Sequence, residues 1–490
     1  MKLYKYLTLL CSILLLNSCH EEFLTEKVYS SITPLNFYNT EADAKAALSS
    51  VYQAMRNSNS WSRQIILAAE YPSEATWPNN SGEAWRTEMD QFTWTTSSTG
   101  FKQIWSQLYI MINRANTLLK YVDGIQFDTP GLKEQVIGET RFLRGLAYLY
   151  LIRFFDHIPL MTVENMSEIE PSNEGTDDAV WQLIIEDFEY AKANLKPKHT
   201  GADVGRATSG AAQTFLAKTY LSMAGKPSNK SEYWAKAAQE AKAAIDNTQY
   251  GYALEADYER VFLLENEHGS EYIFSLELES NIGCGNDLPT FTGIRSGDQI
   301  KLDGWSSVTV EEDFFESMDV EDKRREKTFV ISYYGFNDPS ILWTYPGRIS
   351  LPHYNKWIDR NDVGSGTGDY ALNVYITRFP DLLLMHSEAV NEMNGPTDEA
   401  LYGINRVRAR AGLALLKPGD FTKETLRNAI YQERLWELCE EGYAWFDMKR
   451  MGLMESRIKK FTVAPKHYVF PIPQDELDVN PNLVQNDLYR

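Results

Sequence analysis

The sequence predicts an all-helical fold of paired helices carrying one loop-rich insertion and a few short strands, and three observations support that prediction. The stretch from Arg141 to Asp156 is apolar on nearly every face yet reads as helix throughout, and a helix hydrophobic all round must be buried. Its pattern Leu146-Ala147-x-x-Tyr150 recurs seventy positions later as Leu216-Ala217-x-x-Tyr220, each copy followed by a second helical segment. From Gly251 to Gly368 the helical period gives way to short apolar runs, glycines and scattered aromatics, the texture of irregular structure with a few strands. A length of 490 residues with 43 % hydrophobic content places the chain among large globular proteins.

Taken in order, the chain opens with its only long apolar run, Leu7 to Leu16. The run is too short to span a bilayer as a helix, and it follows Lys2 and Lys5 as the core of a secretory signal does. Next comes Leu16-Asn17-Ser18-Cys19, which resembles the lipobox of bacterial lipoproteins. That resemblance implies a removable signal over residues 1–18 and makes Cys19 the lipid-modified (palmitate-bearing) first residue of the mature chain. Two or more acyl chains bury enough methylene groups to hold a soluble body at a membrane, where one holds only marginally. Residues 19–34 then read as a polar tether.

A capped, alanine-rich helix begins near Thr40 and runs to Met55. Between Ser58 and Ser98 the periodicity fails and Trp61, Trp77, Trp85 and Trp94 gather among Pro78, Asn79, Asn80, Ser81 and Gly82. Aromatics in such a loop either form a binding surface or pack the loop onto the body. A helix resumes from Phe101 to Tyr121 and stops at Asp123-Gly124. The second helices of the pairs share a spacing: Trp181, Ile185 and Phe188; Ala237, Ala241 and Ala244; Ala400, Ile404 and Val407. These intervals resemble the helix-packing positions of tetratricopeptide repeats, with longer and irregular connections. The expected division is an N-terminal helical region at 35–250, an insertion at 251–370 and a C-terminal helical region at 371–490.

Charge excludes some functions. A formal net charge of −20, more negative still once Lys2 and Lys5 leave with the signal, has no offsetting basic stripe, so nucleic acid and other polyanions are poor partners. With Cys11 removed and Cys19 acylated, Cys284 and Cys439 supply neither a disulfide framework nor metal spacing. The chain has no His-Glu-x-x-His, Gly-x-Ser-x-Gly or phosphate loop, and its seven histidines lack ligand spacing; no catalytic residue, metal or cofactor is assigned. Arg141, Arg144 and Arg153 in the apolar helix need partners, so acidic helices should surround it. Glu433, Glu437 and Glu441 recur at i, i+4 with Arg434 among them. A two-carboxylate glycosidase needs its acids facing each other across a sugar, whereas three on one stripe beside many arginines suit ion-paired packing. By the same reasoning Arg406, Arg408 and Arg410 pair with acidic helices.

Several motifs occur in one order. Cys19-x-x-x-Phe23-Leu24 and Phe37-Tyr38 precede the first helix, and the central Arg141–Pro159 stretch follows. Then come Arg378-Phe-Pro-Asp381, Ile404-Asn-Arg-Val-Arg-Ala-Arg-Ala-Gly412, Glu433-Arg434-x-x-Glu437-Leu438-x-x-Glu441-Gly442, Trp445-Phe446-Asp447-x-Lys449-Arg450 and Pro471-Ile472-Pro473. In that order they resemble the SusD/RagB family of outer-membrane nutrient-uptake lipoproteins across nearly the whole chain; His386-Ser387-Glu388-Ala389 stands where the family usually has Tyr-Ala-Glu-Ala. The resemblance implies a non-enzymatic lipoprotein of the cell outer membrane, facing the exterior, that binds a glycan and delivers it to a SusC-like TonB-dependent transporter. A sugar stacks its C–H face on an aromatic ring and directs its hydroxyls to amide, carboxylate or guanidinium partners. By family position the expected ligand residues are Trp77, Asn79, Asn80 and Trp85, faced by Trp305, Tyr333, Tyr334 and Trp343, with Arg295, Asp303, Asn337 and Arg348 near them in sequence. An exported glycan hydrolase and a tetratricopeptide-like protein scaffold stay open as alternatives.

Overall fold

Thr40 starts the first helix: its hydroxyl accepts the Asp43 amide at 3.3 Å, and the Asp43 carboxylate accepts the Thr40 amide at 2.8 Å, a reciprocal cap that satisfies otherwise unpaired backbone donors. The computed structural model describes residues 37–79, 83–295, 304–335, 338–362, 366 and 368–490. The expected signal segment and tether, Cys19 and Asn80 lie outside the described residues.

The capped helix is α1 (Glu41–Ala54), followed by α2 (Gln64–Glu70), β1 (Thr76–Pro78), α3 (Ala84–Asp90), α4 (Thr99–Tyr121), α5 (Leu132–Phe155), α6 (Asp177–Asn194), α7 (Ser209–Ala224) and α8 (Tyr233–Asp246). The middle of the chain supplies β2 (Tyr272–Leu276), α9 (Leu288–Thr292), β3 (Val308–Val310), α10 (Glu312–Ser317), α11 (Arg325–Thr328), β4 (Phe329–Val330), β5 (Ser332–Tyr334), β6 (Leu342–Thr344), β7 (His353–Tyr354) and β8 (Val374–Arg378). Then follow α12 (Phe379–Asn394), α13 (Asp398–Ala411), α14 (Lys423–Leu438), α15 (Ala444–Arg450), α16 (Met454–Arg457) and α17 (Gln474–Val479). The tryptophan-rich stretch expected to be a loop therefore holds two short helices and a strand, too brief for a periodic signal.

Helices pack in sequence: α1 on α4, α4 on α5, α5 on α6, α6 on α7 and α7 on α8. The stack then continues from α8 directly to α12, which carries α13 and α14. The recurring positions explain why these elements fit. Trp181, Ile185, Phe188, Ala237, Ala241, Ala244, Ala400, Ile404 and Val407 are all buried, and small residues let helix axes approach. Gly403 is required outright, since a Cβ there would sit 2.0 Å from the Leu383 carbonyl oxygen of α12. The strands form four separate antiparallel pairs, β1–β3, β2–β8, β4–β7 and β5–β6.

Helix α5 is buried on all sides from Phe142 to Phe155, which agrees with its all-round apolar sequence. Its arginines are held in two ways. Arg144 makes a two-pronged ion pair with Asp187 at 2.8 Å per contact and donates to Asn116 at 2.8 Å, the geometry that best compensates a desolvated guanidinium. Arg153 and Arg141 depart from the expected carboxylate ring. Their guanidinium carbons lie 3.7 Å from the centroid of Phe446 and 4.4 Å from that of Tyr190, a weaker attraction to an aromatic face that still needs no buried anion.

The expected acidic stripe is a packing device, although α14 ends at Leu438 and carries only Glu433 and Glu437, with Glu441 on the turn that follows. Glu437 meets Arg378 and Arg410 at 2.6 Å each and Arg324 at 2.9 Å, while Glu441 meets Arg378 at 2.7 Å and Lys356 at 2.9 Å. Glu433 pairs with Arg324 at 2.7 Å and Arg408 at 3.0 Å. Burial opposes the charged form of Glu437, but the surrounding arginines hold it well below the usual carboxylate range. Arg406 is the exception among the three arginines of α13, lying 5.2 Å from the Phe379 ring and donating to the Tyr402 hydroxyl at 3.1 Å.

The far end of α5 is closed by residues from the end of the sequence. The Phe470 amide donates to the Phe154 carbonyl at 2.7 Å, and the Asn486 side chain donates to the Phe155 carbonyl at 2.8 Å. Helix C-termini leave such carbonyls without internal partners.

Candidate functional site

The β1–β3 ribbon places the site. Thr76, Trp77 and Pro78 pair with Val310, Thr309 and Val308, and the Asn79 amide continues the ladder by donating to the Ser307 carbonyl at 3.2 Å. This register brings Asn79 beside Trp305, Ser306 and Ser307 on the wall of a cleft of about 490 Å³. Tyr333, Arg348, His353 and Arg295 are further lining residues. Such a volume falls within the range of small-ligand sites.

Each wall residue is positioned by its neighbours. Trp305 rests one side of its indole against Phe291, with ring centroids 5.0 Å apart, and stays 43 % exposed. The alternation of strand β5 separates its two tyrosines: Tyr333 turns inward at 5 % exposure, whereas Tyr334 faces solvent at 47 %. Tyr333 packs on Trp343, its cross-strand partner, at 5.7 Å, and the Arg348 guanidinium covers Trp343 at 4.5 Å.

Ser306 and His353 also have a fixed arrangement. The His353 Nδ1 lies 3.0 Å from the Leu351 carbonyl oxygen, which can only accept, so Nδ1 carries the proton. The Nε2 therefore accepts from the Ser306 hydroxyl at 3.2 Å, and the same oxygen accepts the Arg295 amide at 2.7 Å. Burial lowers the His353 pKa to about 4, so the ring is neutral near pH 7. A serine next to a histidine invites comparison with a hydrolytic dyad, but here a backbone carbonyl occupies the place of the orienting acid. The Ser306 oxygen is also tied to a backbone amide. The described lining contains no Asp or Glu, so it presents aromatic faces, hydroxyls, an amide and two guanidinium groups.

Asn79, Trp305 and Tyr333 thus meet in one cleft, with Trp343 directly behind Tyr333 and Tyr334 on the outer face of the same strand. Trp77 does not line the cleft; its half-buried ring lies 5.4 Å from the Lys460 ammonium. Trp85 belongs to the core at 3 % exposure, where its indole fills the space over Gly100 so closely that a Cβ there would come within 2.8 Å. Trp61 and Trp94 are buried as well. Ser306, Ser307 and His353 carried no sequence signal, because only the pairing of β1 with β3 and of β4 with β7 brings them together. Arg295 and Arg348 stood near the expected aromatics in sequence, and the fold moves them into the wall.

Comparison with known proteins gives a consistent result. Residues 22–221 match a family model described as "Starch-binding associating with outer membrane", and residues 270–462 match the model of the SusD family. SusD-like protein P2 of Formosa agariphila is 28 % identical over 99 % of both chains. A SusD-like protein of Bacteroides ovatus is 27 % identical over 91 % of this chain and 82 % of that one. Among solved structures, a SusD homolog from Bacteroides thetaiotaomicron superposes with a TM-score of 0.82 at 23 % identity, covering 95 % of this chain and 99 % of the other. A laminarin-binding SusD-like protein superposes with a TM-score of 0.77 at 26 % identity, covering 92 % and 100 %.

Proposed function

The chain belongs to the SusD family, and on that premise we propose that it is a glycan receptor that binds an oligosaccharide or polysaccharide in the Trp305–Tyr333 cleft. The observation that carries the reading is the cleft itself, whose lining combines the exposed Trp305 indole with Tyr333, Asn79, Ser307 and two arginines. Stacking of sugar C–H faces on Trp305 supplies orientation-tolerant contact, and the amide and guanidinium groups answer the hydroxyls. A cleft lined without Asp or Glu among the described residues favours capture over glycoside hydrolysis, which needs two facing carboxyl groups.

Within this proposal, lipidation at Cys19 holds the receptor at the outer face of the outer membrane, and a SusC-like transporter receives the ligand. Binding in the micromolar to millimolar range, reversible at a cost of about 4 to 8 kcal/mol, suits such a handover. The support is the family description of outer-membrane association, the lipobox-like residues before Cys19 and the names of similar proteins that bind glycans.

The test is intrinsic tryptophan fluorescence during titration with a panel of polysaccharides that includes laminarin and starch. At least one glycan is expected to quench the signal, and Trp305→Ala is expected to weaken binding tenfold or more, about 1.4 kcal/mol, with an unchanged melting temperature. Absence of any response across the panel, or undiminished affinity in the variant, would overturn the reading. Cys19→Ala is expected to release the protein from membranes into the soluble fraction.

A further inference from the structure

A second cleft, of about 300 Å³, is lined by residues at the other end of the β1–β3 ribbon, Ser73 and Glu74 before β1 and Glu311 after β3. Ser307 and Glu311 lie four residues apart along this extended segment, roughly 13 Å, so one strand contributes Ser307 to the aromatic cleft and Glu311 to this one. Its floor is apolar, formed by Phe314, Leu435, Ile458 and Phe461. Its charged lining comprises Asp90, the last residue of α3, with Glu74, Glu311 and Asp313, and the cations Arg457, Lys459 and Lys460.

Asp90 is the anomaly. The residue is only 4 % exposed, its side chain makes no ion pair among the described residues, and the oxygen Oδ2 is buried without a hydrogen-bond partner. Buried carboxyl groups in folded proteins are nearly always paired or hydrogen-bonded, because leaving one bare forfeits its solvation without return. The neighbouring cation does not remove the anomaly, since the Lys460 ammonium is hydrogen-bonded to Glu311. Of the other acids lining this cleft, Glu74 accepts from the Tyr431 hydroxyl at 3.0 Å and lies 3.7 Å from Arg457, and Asp313 is exposed. Burial, and then the like charge of Glu311, raise the Asp90 pKa to about 7. A positive group placed between the two carboxylates would relieve both causes at once.

We propose that this cleft is a separate binding site for a small molecule bearing a protonated primary amine. The ammonium would donate to Asp90 and Glu311, and the apolar body of the ligand would lie on Phe314 and Phe461. An ammonium has three donors and can reach two carboxylates together, and the cleft size suits a single sugar ring or amino acid. Hexosamines and amino acids share this chemistry. The proposal does not depend on the aromatic cleft being a glycan site.

Calorimetric titration of the full-length protein in detergent tests it, using glucosamine and leucinamide against their N-acetylated forms, with calcium chloride alone as a further arm. At least one amine is expected to bind with a Kd below about 10 mM, and its N-acetylated form at least tenfold more weakly. Tighter binding of glucosamine assigns the site to an amino sugar, and tighter binding of leucinamide assigns it to an amino acid. Affinity is expected to be greatest near pH 7, rising from about pH 6 as Asp90 loses its proton and falling above about pH 8 as the ligand amine loses its own, and Asp90→Asn is expected to remove at least tenfold of it. Trp305→Ala is expected to abolish glycan quenching while sparing amine binding, which separates this site from the aromatic cleft. Equal affinity for the acetylated forms, no heat from either amine up to about 10 mM, undiminished binding by Asp90→Asn, or binding of calcium alone would each overturn the proposal.

Discussion

Two of the regions that bury carboxylates treat them in opposite ways. At the end of α14, Glu433 and Glu437 on the helix and Glu441 three residues beyond it each meet at least one guanidinium or ammonium, and Arg378 alone bridges Glu271, Glu437 and Glu441. Beside the β1–β3 ribbon, Asp90 is buried with no such partner among the described residues. The first arrangement spends its charges on joining α13, α14 and the residues before α12 into one block. The second leaves capacity for something outside the chain. A buried acid therefore says little by residue type; its partners decide whether it belongs to the scaffold or to a site.

The largest expected effect breaks the closed network. Arg378→Met strips three carboxylates of one shared cation and should lower stability by about 3–5 kcal/mol, as removal of one partner from a buried pair does, readable in urea unfolding at pH 7. A smaller loss, within the range of a surface substitution, would mean that Arg324, Arg410 and Lys356 compensate and that the network is redundant. Next in size and opposite in sign is Asp90→Asn, expected to stabilise the ligand-free protein by roughly 1–3 kcal/mol at neutral pH. The folded-state pKa of Asp90 is raised from 3.8 to about 7, so the native state binds the extra proton and the ionised group costs stability as pH rises. The melting-temperature gap between variant and parent should be full above about pH 7 and close below about pH 4. A gap that does not change with pH would remove Asp90 as its source.

The smallest expected effects separate the aromatic residues. Trp305→Ala should act on glycan affinity and hardly on stability, as stated above. Tyr334→Ala, on the outer face of β5, should leave stability within about 0.5 kcal/mol of the parent and glycan affinity within a factor of about two. A loss at Tyr334 as large as at Trp305 would move the ligand from the cleft to the outside of the β5–β6 hairpin.

The contrast also shows which parts of the molecule could be read in advance. The burial of α5 and the recurring small or apolar positions of α6, α8 and α13 depend on local periodicity, which the residue order displays directly. The pairing of the α14 stripe was legible because three acids and many arginines leave few other arrangements. Arg153 and Arg406 escaped that reasoning, since an aromatic face can replace a carboxylate and leaves no charge pattern. The cleft was legible in part. Aromatic and amide types marked Asn79, Trp305 and Tyr333, but the same types marked Trp85, whose burial depends on Gly100 of another helix. Ser306 and His353 depend on strand register between segments far apart in sequence, which no short-range pattern encodes.

One further consequence comes from the two hydrogen bonds that finish α5. The carbonyls of Phe154 and Phe155 wait for Phe470 and Asn486, more than three hundred positions downstream. These two carbonyls gain their protein donors only once the end of the chain has been made, so the last stretch synthesised acts as a latch on structure begun early. Truncation ahead of Phe470 is expected to yield a collapsed, protease-sensitive intermediate in place of a shortened native protein, a property that would keep the polypeptide pliable until its full length has been delivered.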